Sequence, residues 1–356
     1  MSAVTPPVHG GLDAAELRSL GLDPADVLDF SASLNPLGPP LGVAEALATV
    51  DPSRYPDRWS DELVTAISNT EGAPREQVFI GNGSSELIHL LARAHLKPGD
   101  CAIVLEPTFG EYAAACEAAG ASLRRFVAGE AQGFRWNFED ACPLVEVEQP
   151  RLVYLCNPNN PTGTYLEEAS VRQLAEAVGD AGLLILDEAY RAFVDGPWES
   201  RPLLDLDNVV LLRSMTKDYA LAGLRLGYLL GSEQTVERLR GTQPSWSVNA
   251  AAQAAGLAAL QDRTHLDRAR EVVRKSKAYL TGALNEIGLE VAPSAANFLL
   301  VKVGNAAVVR RALLREGVAV RDCTSFGLPQ YVRIGVRSPE DCRRLVEATR
   351  RVLGHG

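Results

Sequence analysis

The chain has 356 residues, 46% of them hydrophobic, and a formal net charge of −10. That length exceeds one typical core and predicts two domains, while the acidic balance argues against a general binder of nucleic acid or anionic membranes and leaves room for a locally basic pocket. The six cysteines, at 101, 116, 142, 156, 323 and 342, form no C-x-x-C pair and no zinc-like spacing, so neither a disulfide framework nor a metal site is expected.

Residues Met1 to Pro7 lack a charged segment backed by an apolar core, and no run reaches transmembrane length, which predicts a cytosolic protein. Residues 1–40 carry little periodicity and many turn formers, notably His9-Gly10-Gly11 and the stretch from Phe30 to Gly38, and read as an ordered arm rather than a helix. Taken alone, His9 reads first as a solvated terminal histidine, and Asn35 before Pro36 as either a turn residue or a functional one. Tyr55, in Arg54-Tyr55-Pro56-Asp57, precedes a helix-like stretch at 60–69, where an aromatic is normally local packing.

A strand at 78–80 runs into Gly81-Asn82-Gly83-Ser84-Ser85-Glu86 and then an apolar-periodic helix at 86–96. Such a turn exposes backbone N–H groups and a positive helix end to an anion, so Ser84 and Ser85 form either a phosphate cup or an ordinary helix cap. The next strand, 101–105, leads to Phe109; residues 122–150 hold one more strand and a connector.

Three further apolar runs each end in polar residues. The run 152–155 leads to Asn157-Pro158-Asn159-Asn160-Pro161-Thr162-Gly163, 183–186 leads to Asp187 and Tyr190, and 209–212 leads to Ser214, Thr216 and Lys217, with Arg225 eight residues beyond the lysine. The hydroxyls and the arginine suggest a phosphate cradle around an amine. A lysine beside a phosphate-bearing aldehyde can form a Schiff base, and pyridoxal phosphate sites pair such a lysine with an acid for the pyridine nitrogen, here Asp187. Strand carboxyl ends are where open α/β sheets bind ligands.

With helices at 167–179 and 232–240 between the strands, the pattern predicts an α/β large domain over 41–245, a mostly parallel sheet with helices on both faces. Beyond Pro244 come a long amphipathic helix through Leu266 and Ile287, strands at 298–303, 318–320 and 331–337, and helices at 305–316 and 339–353. These make a smaller α+β domain over 246–356, to which the arm at 1–40 is assigned. Arg333 and Arg337, four apart on a strand, point to one face and offer planar forks for carboxylate or phosphate, though isolated strand arginines are usually surface residues.

The lysine, acid and asparagine at successive strand ends resemble the fold type I pyridoxal phosphate enzymes, in the branch holding histidinol-phosphate aminotransferase and threonine-phosphate decarboxylase, and the resemblance spans nearly the whole chain. It implies a pyridoxal 5′-phosphate cofactor linked to Lys217, with Asp187 on the ring nitrogen, Asn160 and Tyr190 on the phenolic oxygen, Phe109 stacked on the ring, and Ser84, Ser85, Ser214, Thr216 and Arg225 around the phosphate. It further implies that Tyr55 reaches the partner's cofactor in a homodimer, that the arm with His9 and Asn35 closes over the substrate, and that Arg333 grips an α-carboxylate. Arg337 is the expected phosphate contact. The His-Gly-Gly and 30–38 motifs, with Arg337, favour decarboxylation of O-phospho-L-threonine, as in cobalamin biosynthesis; a histidinol-phosphate or related aminotransferase is the alternative. A non-enzymatic ligand sensor is disfavoured, because the lysine, the acid and the phosphate cup are all present.

Overall fold

Strands buried on both faces need apolar residues at every position, and the runs found above supply them. In the computed structural model, which describes residues 8–354, the strands are β1 (Leu28–Asp29), β2 (Val78–Gly81), β3 (Cys101–Glu106), β4 (Ser122–Val127), β5 (Leu152–Cys156), β6 (Leu183–Asp187), β7 (Val209–Arg213), β8 (Gly227–Leu230), β9 (Glu290–Val291), β10 (Phe298–Lys302), β11 (Val318–Ala319), β12 (Arg321–Asp322) and β13 (Tyr331–Gly335). Residues 1–7, where the arm was expected to begin without a leader, lie outside the described residues.

Seven strands form one sheet in the order β2-β8-β7-β6-β5-β3-β4. The five from β7 to β4 run parallel, and β8 is antiparallel to both β7 and β2. Alternate side chains leave opposite faces: Val153 and Leu155 of β5 enter one core with Leu184 and Leu186, whereas Leu152 and Tyr154 enter the other with Ile185. The fold is therefore α/β, a mostly parallel sheet covered on both sides.

A four-stranded antiparallel sheet, β12-β13-β10-β9, carries the C-terminal core with the helices His265–Glu286, Ala306–Arg315 and Pro339–Leu353. The arm is bound to this part: β1 pairs in parallel with β11, and Phe30 is fully buried in its core. Among the described residues, no helix is long and apolar enough to cross a membrane, and no group of three or more His, Cys, Asp or Glu is disposed to hold a metal ion.

Several elements depart from the pattern-based reading. Ala14–Ser19 is a short helix within the arm, capped by the Asp13 carboxylate accepting from Ala15 and Glu16 N–H. The 122–150 connector contains an 11-residue helix, Phe138–Glu148, interrupted in pattern by Pro143. The Ala250–Gln261 helix is apolar all round, so it shows no stripe to read. The helix after β2 begins at Gly83, placing Ser84 and Ser85 inside its first turn. Finally β13 stops at Gly335, where Gly335 N–H donates to Phe30 O of the arm at 2.7 Å. Arg337 thus lies beyond the strand, and the same-face argument that joined it to Arg333 does not hold.

Behind the carboxyl rim, Arg213 Nη2 meets Glu188 Oε2 at 2.9 Å, with side chains 8% and 1% exposed, and Ser200 Oγ donates to the same carboxylate at 2.9 Å. Breaking a buried pair strands the other charge, so Arg213→Met is expected to lower unfolding free energy by about 3–5 kcal/mol in a denaturant titration. A loss under about 1 kcal/mol, the scale of an exposed pair, would show that Glu188 is solvated or neutral instead.

Candidate active site

The register of the parallel strands brings three loops to one edge. Cys156 of β5 pairs with Asp187 of β6, and Asp187 pairs with Leu212 of β7. The loops that follow therefore open on a common cavity of about 520 Å³, lined by Asn160, Asp187, Tyr190, Thr216 and Lys217 among others. Lys217 stands on a single helical turn, Met215–Asp218, directly after β7. Burial, then the Arg333 and Arg225 cations, pushes its amine down to about 8.

One end of the cavity is built for an anion. Ser84 and Ser85 line it from the first turn of the Gly83–His95 helix, whose N-cap residue Asn82 makes no side-chain cap, so the hydroxyls are not spent on capping. Thr216 and Arg225 line the same cavity. A Cβ at Gly83, where φ is +76°, would stand 2.6 Å from Arg225 Nη2; only glycine lets the guanidinium lie against the helix start. Ser214 is buried and shares a 2.6 Å hydrogen bond with Thr216, standing behind the cavity wall rather than on it.

At the centre, Asp187 is 3% exposed, and burial pushes its carboxyl up against two donors that hold it down. Ala189 N–H donates to Oδ1 at 2.9 Å and Tyr112 OH to Oδ2 at 2.8 Å. Phe109 lines the cavity and meets Tyr112 edge-on, with centroids 5.7 Å apart. Tyr190 lines it as well, its phenol pushed by burial up to about 12, and packs edge-on to Phe298 at 4.9 Å.

The other end carries two arginines. Arg333 is 5% exposed; its guanidinium donates to Asn160 Oδ1 and, at 2.8 Å, to Ser31 O, and its carbon sits 5.2 Å above the Phe298 ring. Its Nε is buried without a partner. Both acceptors are neutral, so the positive charge is left for an anion. Arg321, which sequence patterns did not single out, also lines the cavity and donates to Val8 O at 2.8 Å and Ser325 Oγ at 2.6 Å. It occupies a two-residue strand, too short to show a period.

The arm lies across this end. His9 lines the cavity, but its Nε2 is 2.8 Å from Glu111 Oε1, and His89 holds the other carboxylate oxygen at 2.8 Å. Those two imidazoles, His89 first, hold Glu111 down to about 2. A Cβ at Gly10 would fall 2.2 Å from Ser31 O, and Gly11 has φ of +112°, which gives the Gly-Gly pair a physical reason.

Besides Ser214, two residues expected at the substrate lie off the cavity wall. Asn35 is buried outside the cavity wall, its Nδ2 donating to Asp218 O at 2.7 Å and its N–H to Lys217 O at 3.0 Å, so it clamps the arm to the lysine turn. Arg337 is also off the wall: its Nε donates to Asp341 Oδ2 at 3.0 Å and its Nη1 to Asp29 O at 3.2 Å. Tyr55, expected to serve a partner's cofactor, is 80% exposed, stacks on Trp246 at 4.6 Å, and does not line this cavity.

Residues 25–348 match the family described as aminotransferase class I and II. The chain is 42% identical over 343 residues to a histidinol-phosphate aminotransferase of Symbiobacterium thermophilum, covering 95% of this chain and 93% of that protein. It is 37% identical to histidinol-phosphate aminotransferase 1 of Nitrosococcus oceani, covering 91% and 88%. In fold it superposes on the histidinol-phosphate aminotransferase of Sinorhizobium meliloti, solved with pyridoxal-5′-phosphate, with a TM-score of 0.87 at 24% identity over 100% of this chain and 98% of that one.

The buried amine yields a direct test. Competitive acylation of cofactor-free protein should give Lys217 a titration midpoint near 8, against 10.5 for an ordinary lysine, with reactivity rising as pH increases through that value. A midpoint above about 10 would mean the amine is solvated and not held among cations as described.

Proposed function

Because the chain belongs to the class I and II aminotransferase family, we propose that it transfers the amino group of histidinol phosphate to 2-oxoglutarate. The enzyme is pyridoxal phosphate-dependent, as its family is. The residues present suit that cofactor: the helix start, hydroxyls and Arg225 around the glycine-sized gap at Gly83 would take the phosphate, Asp187 would take the ring nitrogen, and Phe109 would offer a flat face. When bound, pyridoxal phosphate supplies an aldehyde for amines and a protonated ring that accepts electrons released at Cα.

The chain's own groups do the rest. Lys217, with its amine pushed down to about 8, is the base placed to take the Cα proton. Asn160 gives its Oδ1 to Arg333, which leaves its amide hydrogens, with the Tyr190 hydroxyl, for the phenolic oxygen. The carrying observation is the two-ended cavity: one cationic end serves the cofactor phosphate, and the second, Arg333 with Arg321, awaits a substrate anion. In the first half-reaction that anion is the phosphomonoester, and in the second a carboxylate of the acceptor. A guanidinium fork suits both.

The names of the relatives support transamination over the decarboxylation favoured from sequence, and Arg337, the best physical argument for decarboxylation, lies off the cavity wall. Decarboxylation of O-phospho-L-threonine remains a second reading on one observation: His9, Arg321 and Arg333 all line the cavity, enough for a substrate bearing both carboxylate and phosphate. The outcome rests on which Cα bond stands perpendicular to the ring. Assembly belongs to the proposal too: the exposed Tyr55–Trp246 stack, with Trp59 50% exposed nearby in sequence, suits burial by a second copy in a cytoplasmic homodimer.

Incubation with histidinol phosphate and 2-oxoglutarate should yield glutamate, and phosphothreonine should release no carbon dioxide; the reverse pattern selects the second reading. Arg333→Ala and Arg321→Ala should each lower kcat/KM for the phosphorylated substrate by about 30-fold or more, the cost of stripping one partner from a buried charge pair. Arg337→Ala, which removes a half-buried ion pair away from the cavity, should change it by less than about fivefold. Equal losses at all three positions would refute the assignment of the anion end.

For assembly, mixing inactive Tyr55→Ala and Lys217→Ala subunits should restore part of the activity, since a mixed dimer would own one intact site. A fully active monomer in sedimentation would end the dimer proposal.

A further inference from the structure

A carboxylate that must stay ionised deep inside a protein needs donors on both oxygens, because desolvation favours the neutral acid. Asp187 has two: the Ala189 N–H on Oδ1, which comes from its own turn, and the Tyr112 hydroxyl on Oδ2, which comes from 75 residues away in sequence. Tyr112 stands in the first turn of the Glu111–Ala118 helix and is fully buried. Its ring is fixed on two sides, stacked on Tyr154 with centroids 5.0 Å apart and 12° between planes, and edge-on to Phe109 at 5.7 Å. A phenol so held has little freedom to turn its hydroxyl elsewhere. Nothing in the roles assigned so far uses it.

We propose that Tyr112 is the positioning residue for Asp187: its hydroxyl fixes the plane of the carboxylate and keeps it charged, so that Asp187 can hold a protonated ring nitrogen. The inference rests on the assignment of Asp187 to that nitrogen. Burial and the neighbouring Asp187 charge push the Tyr112 phenol well above its ordinary range, which keeps it protonated and therefore a donor. The same burial pushes the Asp187 carboxyl up, with the Ala189 and Tyr112 hydrogen bonds opposing it. Tyr112 is thus the side-chain donor that tips Asp187 toward the ionised form, acting through Asp187 rather than on the substrate. Phe109 and Tyr112 both line the cavity, and their edge-on contact at 5.7 Å holds the donor beside the face that Phe109 offers.

The test uses the full chain freed of cofactor and retitrated with either pyridoxal phosphate or 1-deazapyridoxal phosphate, which keeps the aldehyde and phosphate but lacks the ring nitrogen. Tyr112→Phe preserves the ring packing, and its unfolding midpoint serves as the folding control. Loss of a hydrogen bond to a charged group should weaken pyridoxal phosphate binding roughly 10- to 100-fold, while binding of the deaza analogue stays within about twofold of the parent. Equal weakening of both ligands would make Tyr112 a packing residue and overturn the inference, as would unchanged affinity for pyridoxal phosphate. Asp187→Asn separates the two levels. If it binds both ligands like the parent, the assignment of Asp187 itself fails; if it loses affinity for pyridoxal phosphate alone while Tyr112→Phe does not, only the inference about Tyr112 fails.

Discussion

An amine and a carboxylate buried together at the edge of a parallel sheet constrain everything around them. Asp187 is almost wholly removed from water and Lys217 is half-buried on the cavity wall, and burial works against the charged form of both, pushing the lysine down and the aspartate up. Neither group has the other as its hydrogen-bonded partner; Asp187 is held by Ala189 and Tyr112, and Lys217 faces Arg333 and Arg225 across the cavity. The site is therefore an excess of positive charge around a depressed amine, which is an electrostatic demand for anions. Under the proposed function, a cofactor phosphate at one end and a substrate anion at the other would meet that demand.

This arrangement needs the arm. Asn35 joins the arm backbone to the lysine turn through Lys217 O and Asp218 O, Asn297 Nδ2 donates to Leu34 O at 3.1 Å, and Gly335 N–H pairs with Phe30 O. The arm is thus a brace between the C-terminal sheet, which supplies Arg333, and the turn that supplies Lys217. A shift of the C-terminal part relative to the large sheet would move the substrate anion and the amine together, because both are fastened to residues 30–35. That coupling suits a reaction whose outcome depends on the orientation of one bond at Cα.

How much of this could be read from the sequence follows the physics of each element. Lys217, Asp187 and Asn160 were legible because a parallel strand buried on both faces is an uninterrupted apolar run, and the polar residue that ends it marks the rim. The resemblance to the family, and the cofactor it implied, rested on the residues at those strand ends. Arg321 was not legible: it sits in a two-residue strand, and only tertiary packing brings it beside Arg333. Tyr112 was not singled out either, since the carboxylate it donates to stands 75 positions distant. Arg337 was misplaced because a strand was extended two residues past the glycine where the arm takes over the pairing, and Asn35 because a turn asparagine shows nothing of which backbone it will hold.

The cluster behind the lysine completes the electrostatic argument. Asp218, next to Lys217, is pushed by burial up to about 8, with Glu71 adding to the rise and Arg213 opposing it, and its Oδ1 has no hydrogen-bond partner. Arg213 is meanwhile committed to Glu188 at 2.9 Å, and Glu71 accepts from the Tyr228 hydroxyl. An acid that is largely protonated near neutral pH adds little negative charge beside the amine. Had Asp218 been ionised and paired directly with Lys217, it would have raised the amine back toward its ordinary range and left a protonated group where a base is needed. The cluster thus supports the turn through Asp218's backbone carbonyl, which Asn35 grips, while burial pushes its carboxyl toward the uncharged form; the Lys217 amine stays depressed through its own burial and the Arg333 and Arg225 cations, which outweigh Asp187 and Asp218.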